Sequence, residues 1–223
     1  MKFWRKVFAI VRKDIVSEFR SRELMIAVLV FALLSVLIFN FAFDTSGGEA
    51  VKAAPGIIWV TFAFAGTLGL NRAFITERES GCMEALLMSP IDRESIFVGK
   101  AAGSLIFMLP VEILVLFAIQ VLFNVPAITW QIILVTLLTT IGFTAVGTLF
   151  AAMAVNTRAR ELVLPILFLP VISPLIIAAV KATGLALTGG SWGDMLQWLE
   201  IIIGFDVVFI TASYLVFDFV VEE

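Results

Sequence analysis

Residues 24–43 read LMIAVLVFALLSVLIFNFAF, twenty consecutive positions without a charge or a proline. A helix of about 20 residues is about 30 Å long, the thickness of a bilayer's hydrocarbon core. The stretch does not alternate apolar with polar residues, as the strands of a membrane-spanning barrel must. It therefore reads as a transmembrane helix. The 23 residues before it carry ten charges, and no small-residue cleavage signal ends it. A removable signal peptide is not expected.

Outward from this run, further apolar stretches occur at about 53–71, 101–123, 128–155, 162–180 and 198–217. Pro55 falls near the start of the second, where the first turn of a helix tolerates a missing N–H. The expected fold is all-α and integral to the membrane, with six transmembrane helices in one domain over residues 1–223. Composition agrees. The chain is 61% hydrophobic and 15% charged, against about 25% charged in soluble domains, and its mean hydropathy is +1.08.

The chain has no histidine and one cysteine, Cys82. An internal disulfide, a Cys/His zinc site, a Ser-His-Asp triad and bis-histidine haem ligation are thereby excluded. A net charge of −3 offers no footprint for nucleic acid.

Lys and Arg concentrate on the cytoplasmic side of membrane proteins. With the amino terminus inside, that side receives the seven cations from Lys2 to Arg22, then Arg72, Arg78, Arg93 and Lys100, then Arg158 and Arg160. Only Lys52 and Lys181 remain outside, so 13 of 15 cations obey the rule. Both termini are expected in the cytoplasm.

Two segments outside the spans carry information. In residues 1–22, Trp4, Val7, Phe8, Val11, Ile15 and Phe19 recur at helical spacing among Lys2, Arg5, Lys6, Arg12, Lys13 and Arg20. That pattern describes an amphipathic helix in the membrane interface, acting either as a basic anchor or as a brace for a cytoplasmic partner. The second segment is the 29-residue loop 72–100, long for a simple connector. Within it Glu77–Pro90 reads ERESGCMEALLMSP, then IDRESIFVGK leads into the third span. Met83, Leu86, Leu87 and Ile91 could form the apolar edge of a short helix that Pro90 ends. Exposed leucines on such a helix suit a docking element; a merely solvated loop helix is the plainer reading. Cys82 reads as an incidental reduced thiol.

ERESGCMEALLMSPIDRESIFVGK, placed between a second and a third span, resembles the coupling-helix region of ABC-2-type transporter permeases. Within that group, APGIIWV (Ala54–Val60) and the proline-rich LVLPILFLPVISPLIIAA (Leu162–Ala179) are similar to the CcmB family, haem exporter protein B of cytochrome c maturation. The resemblance covers essentially the whole chain. It implies a permease subunit in the bacterial inner membrane, present in two copies and working with a separate CcmA-like ATPase. CcmC-like and CcmD-like membrane proteins and a CcmE-like haem chaperone are the other implied partners. ATP would act through the ATPase, and haem would be handled by the complex rather than bound directly. By position, Glu77, Gly81, Glu84, Leu86, Leu87 and Pro90 would engage the ATPase, while Pro55, Gly56 and Trp59 could contact a partner. The resemblance also suggests a re-entrant hairpin between the last two spans, where a flexible loop is the simpler expectation.

The residues themselves agree with the need for a partner. A P-loop requires G-x-x-x-x-G-K-[ST]; the only Gly-Lys pair, Gly99-Lys100, is followed by Ala101 and preceded by Glu94 where the first glycine should stand. Two acids lie inside the spans, Glu112 in the third and Asp206 in the sixth. A carboxylate at mid-membrane costs about 2.5–3.5 kcal/mol on insertion scales, and no Lys or Arg lies within the apolar runs to pair with it. Both acids are expected to face protein and to support conformational change; a structural hydrogen bond between helices is the plainer role. Pro165, Pro170 and Pro174 should kink or locally break the fifth span. Gly99 with Gly103, and Gly147 with Ala151, permit close helix approach.

Three functions fit these residues. The first is the haem-pathway permease subunit. The second is the permease of another ABC-2-type exporter, moving drugs, lipids or polysaccharides. The third is a membrane enzyme or ion-coupled carrier built on Glu112 and Asp206, which lacks a histidine, a pairing cation and a nucleophile motif.

Overall fold

A computed structural model describes residues 2–43, 48–79, 88, 91–155 and 160–222. The long elements are helices: α1 (Lys2–Ser21), α2 (Glu23–Ala42), α3 (Glu49–Glu79), α4 (Arg93–Leu122), α5 (Trp130–Val155), α6 (Arg160–Thr188) and α7 (Trp192–Glu222). No strand occurs among the described residues. α2 to α7 are each long and apolar enough to cross a membrane. The fold is thus the all-helical, six-span one that the apolar runs require.

Burial sorts the spans into core and rim. In α3 and α5, 72% of the spanning window is buried, against 17% in α2. α5 packs against α3, α4, α6 and α7. Its sequence explains this central place. Gly142, Gly147, Ala151 and five buried threonines leave little side-chain bulk, so backbones approach closely. A Cβ on Gly147 would run into Leu70 of α3, and one on Gly142 into Asp206 of α7. Phe143 and Phe168 then close the α5–α6 contact edge to face, with ring centroids 4.9 Å apart.

The helices extend past the apolar runs at both ends. α3 starts at Glu49, so Pro55 sits in its second turn and not at its start. The absent N–H would have paired with the Val51 carbonyl, and the break is not free of cost. α6 runs unbroken through Pro165, Pro170 and Pro174. At Pro174 the carbonyl left without its donor is that of Pro170, and Ser173 Oγ donates to it at 2.8 Å. The hydroxyl replaces the missing backbone N–H.

Three residues, Gly189 to Ser191, link α6 to α7. Residues 182–188 continue α6, and Gly189 ends the helix in the left-handed region at φ +70°. Gly190 N–H donates to Leu185 O at 2.8 Å, the six-to-one bond of a glycine-terminated helix. One residue later Ser191 caps α7, its Oγ accepting from Asp194 N–H at 3.1 Å. Helix stop and helix start thus follow each other within three residues.

Candidate functional site

The foot of α4 is where sequence expectation and structure differ most. Hydropathy places Lys100 at the end of a loop, yet α4 begins at Arg93 and carries Lys100 into the bundle, where it is 5% exposed. It pairs with Asp14 of α1: Nζ lies 3.2 Å from Oδ2 and donates to Oδ1 at 3.3 Å. The ring of Phe74 from α3 stands 5.6 Å from the same ammonium, a favourable cation–π geometry. Lys13 lies 3.1 Å from Asp14 Oδ1. A cation is therefore present inside a membrane-crossing helix, with its counter-ion supplied by α1.

α1 reaches Lys100 because α4 is notched for it. Gly99 and Gly103 are the seat: a Cβ on Gly99 would lie 2.8 Å from Ile10 Cβ, and one on Gly103 3.1 Å from Asp14 Oδ2. On α1, Val7, Ile10 and Asp14 share one face by their three- and four-residue spacing, and Val7 and Ile10 are buried. Trp4 and Phe8 lie off that face and are about 70% exposed. α1 thus has two apolar faces, one against α4 and one outward, where the sequence pattern alone showed a single amphipathic stripe.

Further contacts fasten the same foot. Lys6 Nζ donates to Asp92 Oδ2 at 2.8 Å, and the Lys6 ammonium holds the Asp92 carboxyl below its ordinary value. Arg93 reaches Asp218 near the end of α7, donating to Oδ1 at 3.1 Å and to the carbonyl at 3.3 Å. Below this pair Phe97 packs on Phe217 at 5.3 Å, both fully buried. Exposed ion pairs contribute little singly. Their position matters more: α1, residues 92–93 and the end of α7 meet at one end of the bundle.

Most of the expected ATPase-engaging residues cannot be placed beside this foot. Gly81, Glu84, Leu86, Leu87 and Pro90 lie outside the described residues, as does Cys82. Glu77 belongs to the last turns of α3, and its side chain is likewise outside the description. The described structure shows that the segment springs from α3, which ends at Glu79, and returns into α4 at Arg93.

The two intramembrane acids both lie against α5, from different helices. Glu112 of α4 is 3% exposed, and Thr140 Oγ donates to its Oε1. The single Thr140 hydroxyl proton has a second acceptor in reach, the Thr136 carbonyl at 2.8 Å. Asp206 of α7 is 7% exposed and faces Gly142. Its Oδ1 has no hydrogen-bond partner among the described residues, nor do the hydroxyls of Thr136, Thr139 and Thr148. α5 therefore carries a buried polar line with unmet hydrogen-bonding capacity.

Pro55 and Trp59 are turned inward. Trp59 is 2% exposed, and its Nε1 donates to Thr183 Oγ1 of α6 at 2.9 Å. Pro55 is buried opposite Gly184, whose Cβ would lie 3.7 Å from Pro55 Cγ. Gly56 is half-buried. APGIIWV is therefore the α3 side of a helix–helix contact, and Trp59 offers no surface to a partner in this conformation. At the same end of the bundle Trp130 and Trp192 stand ring to ring at 4.6 Å and are largely exposed, as interfacial aromatics should be.

Sequence reading missed Asp14, Thr140 and Thr183 as partners. Asp14 did carry a signal, as the carboxylate on the Val7–Ile10 face of an otherwise basic helix. For Thr140 and Thr183 there was none, because a threonine in a membrane helix commonly bonds its own backbone.

The CcmB protein family model matches residues 5–222. Heme exporter protein B of Rhodobacter capsulatus is 31% identical over 183 residues, covering 75% of this chain and 84% of that protein. The protein of the same name from Paracoccus denitrificans is 30% identical over 156 residues, covering 69% and 71%. That from Bradyrhizobium diazoefficiens is 28% identical over 185 residues, covering 81% and 82%. A match running from α1 through α7, on a bundle of six membrane-crossing helices, places this chain in the CcmB family of multi-pass membrane proteins.

Proposed function

We propose that this chain is the permease subunit of an ABC-type complex in haem delivery for cytochrome c maturation. In this reading a separate ATPase subunit grips residues 80–90 at the cytoplasmic face of the bacterial inner membrane. Two copies of the chain would form the membrane unit beside CcmC-like and CcmD-like proteins. Nucleotide-driven closure would then free a CcmE-like haem chaperone at the outer face. The name shared by the relatives favours this reading over a drug, lipid or polysaccharide exporter.

The observation that carries the mechanical part is the clamped foot of α4. Residues 80–92 connect α3 to α4, so a displacement of that segment would load both helices. Lys6–Asp92, Asp14–Lys100 and Arg93–Asp218 tie the receiving end of α4 to α1 and α7. α4 then carries Glu112 against Thr140 of α5. Movement at the foot would reach the buried polar line through one rigid helix. Packed helices of this kind shift between discrete arrangements rather than deforming continuously.

Co-expression with the ATPase tests the grip. Leu87→Asp is expected to weaken association by about 2 kcal/mol, roughly thirtyfold, the scale of a buried interface anchor. Undiminished co-purification would remove the segment from the interface. Glu112→Gln and Asp206→Asn are expected to keep the ATPase bound while slowing ATP-dependent chaperone release. Unchanged release in both would leave these acids with a purely structural role.

A further inference from the structure

Asp206 and Gly142 meet at the middle of the membrane. Asp206 is the midpoint of the spanning stretch Trp192–Val220 and Gly142 that of Trp130–Ala154, each about 20 Å of helix from either end. The acid is 7% exposed, and its Oδ1 fills the space that a side chain on Gly142 would take. From α6, Leu175 Cδ2 closes the notch, 3.3 Å from that same space. Nothing here suits a carboxylate. Oδ1 accepts no hydrogen bond from the described residues. In a mid-span helix every N–H is spent on its own i−4 carbonyl, while each carbonyl keeps a second lone pair. Bare of a Cβ at Gly142, α5 therefore offers the acid backbone that can accept a proton and has none to donate. A carboxylate only accepts; a neutral carboxyl has an O–H to give.

Counter-charge is missing from the same depth. The helices packed on α7 are α5, α6 and α4. Neither α5 nor α7 contains a Lys or Arg, and the other acids of α7, Asp194, Glu200, Asp218 and Glu222, stand six or more residues from Asp206. On α6 the charged residues are Arg160, Glu161 and Lys181; Lys181 lies six residues beyond Leu175 and is exposed. On α4 they are Arg93, Glu94, Lys100 and Glu112, with Arg93 paired to Asp218 and Lys100 to Asp14. Glu112 meets α5 at Thr140, two positions from Gly142 and so about 200° around the helix. α5 stands between the two acids, and they cannot share a proton directly. A buried charge with no partner is relieved by taking up a proton.

We propose that Asp206 is a proton-binding site: its carboxyl is neutral while α7 is seated against Gly142, and it gives the proton to water when α5 and α7 part and water enters between them. A bound proton stabilises the state that holds it. Acid therefore favours the seated pair of helices and base the parted pair, which makes any outward movement of α7 proton-linked. The site rests on packing and charge alone, so it stands or falls independently of the ATPase-coupling reading.

The test is infrared spectroscopy of the full chain in nanodiscs, with aspartate isotope-labelled at its side-chain carboxyl, which separates neutral carboxyl from carboxylate and aspartate from glutamate. Of the six aspartates only Asp206 lies within an apolar run, and an ordinary aspartate is ionised at neutral pH. The wild-type chain is expected to show one labelled neutral-carboxyl band at neutral pH, lost in Asp206→Asn and kept in Glu112→Gln. A labelled signal that is wholly carboxylate overturns the proposal. So does a neutral band that survives Asp206→Asn. A neutral band that disappears when sodium or potassium chloride is added at fixed pH would give the notch to a metal cation, and would also overturn it. Thermal unfolding in detergent reads the link to helix seating. Because the folded chain holds a proton that the unfolded chain releases, the wild-type unfolding temperature should fall between about pH 6 and pH 8 by about 3 °C per pH unit more than that of Asp206→Asn. Parallel pH profiles would overturn the link. Should Asp206→Asn misfold, the labelled wild-type chain still decides.

Discussion

Replacing Lys100 by methionine should destabilise the isolated subunit by about 3 kcal/mol, the lower end of the cost of breaking a buried ion pair. The lower end applies because Asp14 retains 18% side-chain exposure and keeps Lys13 at 3.1 Å. Deleting the ammonium strands a carboxylate in the notch made by Gly99 and Gly103, where water reaches it poorly. The double variant Asp14→Asn with Lys100→Met should recover most of the loss, since neither charge then remains buried. Denaturant unfolding of the subunit in detergent, followed by helix content, measures the whole cycle. A Lys100→Met loss below about 0.5 kcal/mol, the scale of ordinary surface substitutions, would mean that the pair adds no net stability and that packing of Val7 and Ile10 with the Lys6–Asp92 bridge holds α1.

Trp59→Ala should destabilise the subunit by about 3 kcal/mol, the low end of the range for emptying a buried aromatic site. Its indole is fully enclosed, standing 5.4 Å from Phe62 edge to face and donating to Thr183. Trp59→Phe keeps most of the volume and removes only the donor, so its cost should be about 1 kcal/mol, one buried hydrogen bond. Thermal unfolding of the subunit alone distinguishes this role from a partner contact. A residue serving a partner would leave the subunit's unfolding unchanged and weaken only the assembled complex. Trp59 should do the reverse at the level of the subunit, with assembly affected only in proportion to the folded fraction.

These two residues also mark where the sequence could and could not be read. Trp59 sits near the end of an apolar run, where belt tryptophans are common, and nothing local distinguishes a ring facing lipid from one facing α6. Its partner Thr183 is 124 positions away. Lys100 sits at the border between a charged loop and an apolar run, and hydropathy assigns such a residue to the loop. The helix in fact starts seven residues earlier, at Arg93. The stripe of Gly99 and Gly103 announced a close approach without naming the helix that makes it. Asp14 and Lys100 become a pair only once α1 has docked there.

The number of membrane crossings was decided by sequence alone, because hydrocarbon accepts no unpaired backbone and an uncharged run of about 20 residues has one way to satisfy itself. The same chemistry ruled out metal and triad sites that need histidine, and the sequence contains no P-loop motif. Which faces of the helices meet was left to tertiary structure. In a six-span chain nearly every face is apolar, so hydrophobic patterning cannot distinguish lipid from neighbour. Small residues, buried hydroxyls and a few charges make that choice, and they act between helices far apart in the chain. The Asp14–Lys100 pair, the inward turn of Trp59 and the convergence of Glu112 and Asp206 on α5 are products of packing that no single segment contains.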